Sequence, residues 1–299
     1  MDANSRIPDK SDPSDELQEF PQYNIQLHCC RYWWLQNWEF SELSYPFWRI
    51  YHNSNEGAVV ICNGKEYDLT PDRIVLIAPN TSYATRIHNH KIPKLGYSLK
   101  GGSVNLNLSK KRSDHVLHLF IHFNLGIPFD NIPSGIFIFD LTNYLKIKLK
   151  DIKHYMGYEH VSFSFHKTLT IHSLINDLLS QLPEGNWKTY TKDYRILQVL
   201  TYIENHVSEE LSNTTLAEKT NLVTNAFARL FSEEIGMPPQ KYIKKKRIDK
   251  ARILLHHTHL SIDEIALKTG FADRYHFSRI FKQVTRISPA KYKKEIGMK

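Results

Sequence analysis

Two arginines, Arg229 and Arg279, stand at the same place in two copies of one short pattern. Phe227-Ala-Arg229-Leu-Phe231 returns as Phe277-Ser-Arg279-Ile-Phe281, 50 residues further on, and Pro239-Gln-Lys-Tyr242 returns as Pro289-Ala-Lys-Tyr292 at the same offset. Upstream, Ser212 with Leu216-Ala217 returns as Ser261 with Ile265-Ala266, one residue out of step. A guanidinium can donate to both O6 and N7 of a guanine, an asparagine amide can bond an adenine in two places, and each such pair discriminates by about 1–3 kcal/mol. Two equivalent donor sets on one chain suit a long, regular, anionic partner, and duplex DNA has that repeat.

Each copy must be a pair of helices to present these groups. In the second, Ser261-Ile-Asp-Glu264 fits a capping box, and Ile262, Ile265 and Ala266 form a short apolar stripe. Gly270-Phe271 supplies the turn, since glycine takes positive φ at little cost. Asp273 caps a second helix with Phe277, Ile280 and Phe281 inside. The first copy has Ser212 as cap, Leu216-Ala217 inside, Asn221 at the turn, and Phe227, Leu230 and Phe231 inside. Ala217 and Ala266 are small where two helices must cross. With core positions removed, the first copy leaves Thr224, Asn225, Ala228 and Arg229 for a partner. The second leaves Arg274, Tyr275, His276, Ser278 and Arg279, the richer donor set. Any one of these side chains could equally be part of a solvated helix face; the equivalent placement of the whole set argues for contact.

Between the copies, Pro238-Pro239 opens a helix expected from Gln240 to about His257. Ile243, Ile248, Ala251, Leu254 and Leu255 form its apolar side, and Lys241, Lys244, Lys245, Lys246, Arg247, Lys250 and Arg252 crowd the rest. Such a strut would hold two reading helices about one duplex turn, roughly 34 Å, apart. Charge placement agrees. The chain carries a formal +8, and residues from 190 onward hold 20 Lys and Arg against 12 Asp and Glu, which is all of that excess. Basic charge confined to one domain is the footprint of a polyanion binder.

Residues from about 192 to 295 resemble the DNA-binding domain of the AraC/XylS family of bacterial transcription regulators. The resemblance rests on Leu216-Ala217, Phe227-Ala-Arg229-Leu-Phe231, Arg247 with Ala251 and Leu254-Leu255, Ile262 with Ile265-Ala266 and Gly270-Phe271, Phe277-Ser-Arg279-Ile-Phe281-Lys282, and Ser288-Pro289 with Tyr292. It implies two helix-turn-helix units whose second helices enter successive major grooves, which points to Asn225, Ala228 and Arg229 and to Arg274, Tyr275, His276 and Arg279. It also implies a cytoplasmic regulator with a small-molecule effector, homodimerisation and, for an activator, contact with RNA polymerase. Two departures stand out. Val223 occupies a position where a capping serine is common, and Ala228 cannot hydrogen-bond a base.

The N-terminal half reads as short strands. Ala58–Cys62 and Lys65–Leu69 flank Asn63-Gly64, the strongest short hairpin signal. Ile74–Ile77, an alternating Val116–Phe123 and Ile136–Phe139 follow, and this spacing argues for a barrel or sandwich. Tyr67–Ser82 and Ile121-His122-Phe123 resemble the cupin-type sensor domain of sugar-responsive relatives. The fold class expected is therefore an all-β cupin-like barrel with a flanking helix, followed by an all-α domain with two helix-turn-helix units. The expected divisions are an arm at 1–20, a ligand-binding domain at 21–166, a dimerisation helix and linker at 167–190, and the DNA-binding domain at 191–299. A barrel of this kind holds one small ligand. Of five tryptophans, four, Trp33, Trp34, Trp38 and Trp48, gather in its first strands. They either stack on sugar rings or fill the core. Trp34, Arg49, Tyr51 and His122 are the candidate effector residues. Thr168–Leu182 has apolar residues at i, i+3, i+4, i+7, i+8 and i+11 and either forms a dimer seam or packs on its own barrel.

Other chemistry finds little purchase. His88-Asn-His90 invites comparison with a cupin metal site completed by His115, His118 or His122. No carboxylate follows His90 until Asp114, and Tyr83 stands where a last histidine is common. Neither a metal nor a cofactor is expected. Cys29, Cys30 and Cys62 have no zinc spacing and suit a reducing compartment. No run is long enough to cross a bilayer, so no membrane partner is expected. The rival readings are a metal-dependent cupin enzyme fused to a DNA-binding tail and a dimeric regulator that needs no effector. No nucleophile–base pair or phosphate loop supports an enzyme.

Overall fold

A computed structural model describes residues 20–94, 96–103, 115–156, 162–187, 191 and 193–296. All of the expected arm but residue 20 lies outside the described residues.

Among the described residues, nine strands form the N-terminal domain: β1 (Gln26–Leu43), β2 (Trp48–Asn53), β3 (Ala58–Cys62), β4 (Lys65–Leu69), β5 (Arg73–Ile77), β6 (Tyr83–Ile87), β7 (Tyr97–Ser103), β8 (Val116–Asn124) and β9 (Ile136–Asp140). They run antiparallel in the order β4-β3-β6-β1-β8-β2-β5-β9, with β7 on β1. β4 returns beside β2 and β5, so the sheet curls into a half-barrel. The hairpin expected at Asn63-Gly64 is present, with φ of 51° and 76°, the paired positive values of a type I′ turn. β1 is one long strand that serves three partners in turn: β8 along Gln26–Leu35, β7 along Trp33–Phe40 and β6 beyond.

Alternation along β8 divides two cores, because successive side chains leave a strand on opposite faces. Leu117, Leu119, Ile121 and Phe123 join Trp48, Ile50, Ile74 and Leu76 on the outer face. There they meet α1 (Asn143–Tyr155) and α2 (Phe165–Leu179). Val116 and Phe120 turn inward to Trp38, Tyr51, Val75 and Ile77. The stripe on α2 is buried within the chain: Ile171, Leu174, Ile175 and Leu178 are at most 1% exposed against the outer face of the sheet. Of the two readings left open for this helix, packing on its own β domain is the one observed.

The C-terminal domain is helical: α3 (Tyr194–Asn205), α4 (Asn213–Glu218), α5 (Thr224–Ile235), α6 (Pro239–His257), α7 (Ile262–Lys268), α8 (Arg274–Thr285) and α9 (Pro289–Ile296). Local chemistry sets the ends. Ser212 caps α4, Asp273 caps α8, and Ser261 with Glu264 completes the capping box on α7. Val223 leaves α5 without a side-chain cap, as its hydrocarbon side chain requires. Asn221 and Gly270 hold the two turns at φ of 55° and 76°. Phe227 and Phe231 anchor one unit and Phe277 and Phe281 the other, all at 0% exposure, and Ala217 and Ala266 are buried in the same two clusters. The apolar cluster of the second unit runs without a break into the interior of the half-barrel.

Candidate nucleic-acid interface and barrel pocket

α5 and α8 each bury their phenylalanines and turn a polar face outward. On α5, Asn225 and Arg229 are exposed, with Thr224 and Ala228 half-buried. On α8, Arg274, Tyr275 and Arg279 are exposed and His276 is half-buried. Tyr275 is 85% exposed, an unusual position for an aromatic ring with no partner surface. Arg229 lies 3.8 Å from Glu233 and Arg274 lies 3.3 Å from Asp263. Both pairs are exposed, so solvent screens them and either arginine can exchange partners. For Arg279 no ion pair is found among the described residues. Ser278 is half-buried on the same helix, so the residues left for a partner lie on α5 and α8, none of them fully buried, with the richer donor set on α8.

α6 joins the two units, but its basic residues do not all face solvent. Arg247 donates from Nε to Val207 O (3.0 Å), from Nη1 to Gly270 O (2.7 Å) and from Nη2 to Glu209 O (2.6 Å). One guanidinium thus ties the α3–α4 loop to the turn of the second unit. Lys246 meets Glu204 at 3.0 Å. Burial opposes its charge, yet Tyr242, Glu204 and Asp249 outweigh that and raise its pKa. Arg252 donates to Ser44 O in the β domain and reaches Tyr292 Oη at 3.4 Å. Lys241, Lys244 and Lys245 remain exposed. Charge spacing alone does not separate these roles, because each depends on which carbonyls the fold brings within reach.

The concave side of the half-barrel holds a cavity of about 70 Å³, lined by Trp33, Leu35, Trp38, Phe40, Leu43, Tyr45, Tyr51, Leu99, His118, Phe120, His122 and His256. Of the four candidate effector residues, Tyr51 and His122 line it. Arg49 lies beside it at 1% exposure, its guanidinium 3.9 Å from the centre of the Tyr45 ring and bonded to Tyr83 Oη. Burial lowers the Arg49 pKa. Trp34 is a correction. It packs with the outer cluster, because alternation along β1 sends Trp33 into the cavity and its neighbour to the other face; Trp33 and Trp38 line the wall instead. Tyr51 Oη and Tyr83 Oη are 2.8 Å apart. His118 Nδ1 is 2.7 Å from Asn53 Oδ1, and burial pushes this imidazole down to about 3.

Among the described residues, His88 and His90 do not join the strand histidines in a metal-ligating group. His90 Nδ1 lies 2.9 Å from Glu39 Oε1, whereas His118 and His122 face the cavity.

The helical domain supplies part of the cavity wall. His256 and His257, in the last turn of α6, pack against Phe47 with ring centroids 5.6 and 5.2 Å away. His256 also lines the cavity. Burial pushes His256 down to about 3. Nothing local in the sequence marks these two histidines as pocket residues, since their neighbours on the chain belong to a different domain from their neighbours in space.

A helix-turn-helix domain model matches residues 216–295. The HTH-type transcriptional activator RhaS of Enterobacter sp. (strain 638) is 36% identical over 110 residues, which is 37% of this chain and 38% of that protein. This chain therefore spans well under half the length of that relative. ToxT from Vibrio cholerae matches in fold across 91% of this chain and 98% of its own, with a TM-score of 0.51 at 12% identity. A regulator from Chromobacterium violaceum described as an AraC-type DNA-binding domain protein is 29% identical, covering 34% of this chain and 90% of its own with a TM-score of 0.33. The helical region thus matches a helix-turn-helix domain over residues 216–295, and the arrangement of a curled β domain followed by helices is similar in fold to ToxT.

Proposed function

We propose that this chain is a sequence-specific DNA-binding transcription regulator, not an enzyme, and that a small molecule in the half-barrel controls it. The observation that carries the reading is the equivalence of α5 and α8, two capped or turn-anchored helices with paired phenylalanines inside and donors outside, mounted on one strut. Asn225 and Arg229 read one major groove, and Arg274, Tyr275, His276 and Arg279 read the next. Lys241, Lys244 and Lys245 strengthen the basic field that draws the domain to phosphates, which makes affinity fall steeply with salt.

The effector class we assign is a sugar. Trp33, Trp38, Tyr45 and Tyr51 offer flat faces for the apolar side of one ring, and Tyr51, His118 and His122 offer hydrogen-bonding atoms. The cavity of about 70 Å³ is smaller than the roughly 150 Å³ that admits benzene. A ring must therefore push a wall outward. His256 is the wall that belongs to α6, so occupancy acts directly on the helix that spaces the two reading heads. A ligand preferring one arrangement by a few kcal/mol suffices to shift the population. A homodimer on two half-sites and contact with RNA polymerase complete the proposal.

Footprinting on genomic fragments tests the DNA reading: protection of two successive major grooves is expected, and an absence of any protected segment at moderate salt would overturn it. A thermal-shift panel of sugars tests the effector; silence throughout removes the sugar.

A further inference from the structure

We propose that Cys29, His122 and His257 form a binding site for a soft d¹⁰ metal ion, copper(I) or zinc(II), that pins the β domain to the last turn of α6. The three contribute one donor atom each, and these atoms all lie within 4.8 Å of one another. Ligands about 2.0–2.3 Å from a tetrahedral zinc are roughly 3.3–3.8 Å apart, so closing the set takes movements of about 1 Å, within reach of small side-chain rotations.

Backbone pairing builds two of the three positions. Cys29 and His122 are opposite one another on the β1–β8 ladder, just past a register shift between Leu27 and Cys29. Such a bulge re-aims side chains. His257 arrives from the other domain, its ring 5.2 Å from that of His122 and stacked at 5.3 Å on His28.

The nitrogens are what a packed core does not explain. His122 Nδ1 and His257 Nε2 are buried with no hydrogen-bond partner, and so are both ring nitrogens of His256, whose ring is 4.4 Å from that of His257. Buried polar groups are paired in the great majority of cases. A thiol and two converging imidazoles, each ring carrying a buried nitrogen without a partner, match the donor set of soft metals; no carboxylate belongs to the group, which disfavours calcium and magnesium. His256 is the nearest further imidazole for a fourth position. A groove of about 620 Å³ between the domains, lined by Leu27, His28 and His257 among others, provides an entry path.

Charge separates the two ions. Arg49 is opposite His122 on the β2–β8 ladder, so a cation binds here only with an anionic ligand. Binding breaks the Cys29 S–H bond, forms the metal–sulfur bond and releases the proton to solvent. Copper(I) with one thiolate is neutral and zinc(II) with one thiolate is +1, which favours copper(I) beside a guanidinium.

The test uses the full chain, stripped with chelator under reducing, oxygen-free conditions and titrated separately with copper(I) and zinc(II) against a chromogenic competitor. One equivalent per chain is expected. Cys29→Ser and His257→Gln should each weaken binding by at least about 100-fold, more than the loss of an outer-shell partner, while His88→Gln binds like the parent. Hydrogen exchange on the unsubstituted protein should slow over residues 252–258 on metal addition, a readout that needs no variant. No uptake of either ion at micromolar concentration, uptake unaffected by both ligand substitutions, or unchanged exchange over 252–258 would overturn the proposal. None of these readouts involves DNA, so the outcome is independent of the regulator reading.

Discussion

Arg247→Met should unfold the coupling between the two helix-turn-helix units without touching any surface that faces DNA. Methionine keeps an apolar stem against Phe271, whose ring centre is 5.9 Å from the guanidinium carbon, and removes only the charged fork. Three carbonyls then lose donors at 2.6–3.0 Å. Hydrogen bonds to charged groups contribute about 1.5–3 kcal/mol each. Glu209 O is at the surface and recovers water, so the loss comes mainly from Val207 O and Gly270 O, and about 2–4 kcal/mol is expected once partial rehydration is allowed for. A domain of this size shifts by roughly 4–8 °C per kcal/mol, so the helical transition should fall by at least about 8 °C. Far-ultraviolet circular dichroism of the full chain follows it, with a gel shift on a site spanning two grooves as the functional readout. The gel shift should weaken at least about tenfold, on the order of 1.4 kcal/mol of lost alignment. A transition lowered by less than about 2 °C would mean that water already serves those carbonyls and that Arg247 ties nothing together.

Three further outcomes follow from particular contacts. Arg279→Ala should reduce affinity for the cognate site about 5–150-fold, the equivalent of about 1–3 kcal/mol, with a smaller loss on random DNA; equal losses in gel shifts would reassign the residue to phosphates. Gly270→Ala places a Cβ 2.8 Å from Ser208 O at a φ of 76°, so it should destabilise by more than the about 1–2 kcal/mol of a left-handed residue alone. Gly236→Ala, at a φ of 75° with nothing within 4 Å, is the comparator, and a chemical-denaturation series in which the two cost the same would refute the clash. Burial pushes His118 down to about 3, below its unfolded value, so the stability it contributes is present above about pH 6.5 and is lost as pH falls. The loss is about 1.4 kcal/mol per unit, or about 2 kcal/mol at pH 5. His118→Gln should reduce the dependence of denaturation midpoint on pH between 6.5 and 5 by that amount, the remainder belonging to His52, His122, His256 and His257, which burial also holds below the usual range, and an unchanged slope would show that the imidazole is accessible to protons.

The helical third of the molecule was legible because its signals are local. Caps at Ser212, Ser261 and Asp273, turns at Asn221 and Gly270, and the phenylalanine pairs each act within a few residues, so spacing along the chain reports spacing in space. The hairpin at Asn63-Gly64 and the two faces of β8 were legible for the same reason, since period two and positive φ are backbone properties. What only the tertiary structure decided is which face meets what. Trp34 and Trp33 differ in sequence by one position and lie on opposite sides of the sheet, in different cores. The apolar stripe of α2 is equally suited to a second subunit and to the sheet beside it. Arg247, Arg252 and His256 look on paper like members of one basic strut, yet one caps carbonyls, one crosses to Ser44 and one lines a cavity. These assignments depend on contacts between residues some 20 to 200 positions apart, and no local pattern carries information across that distance.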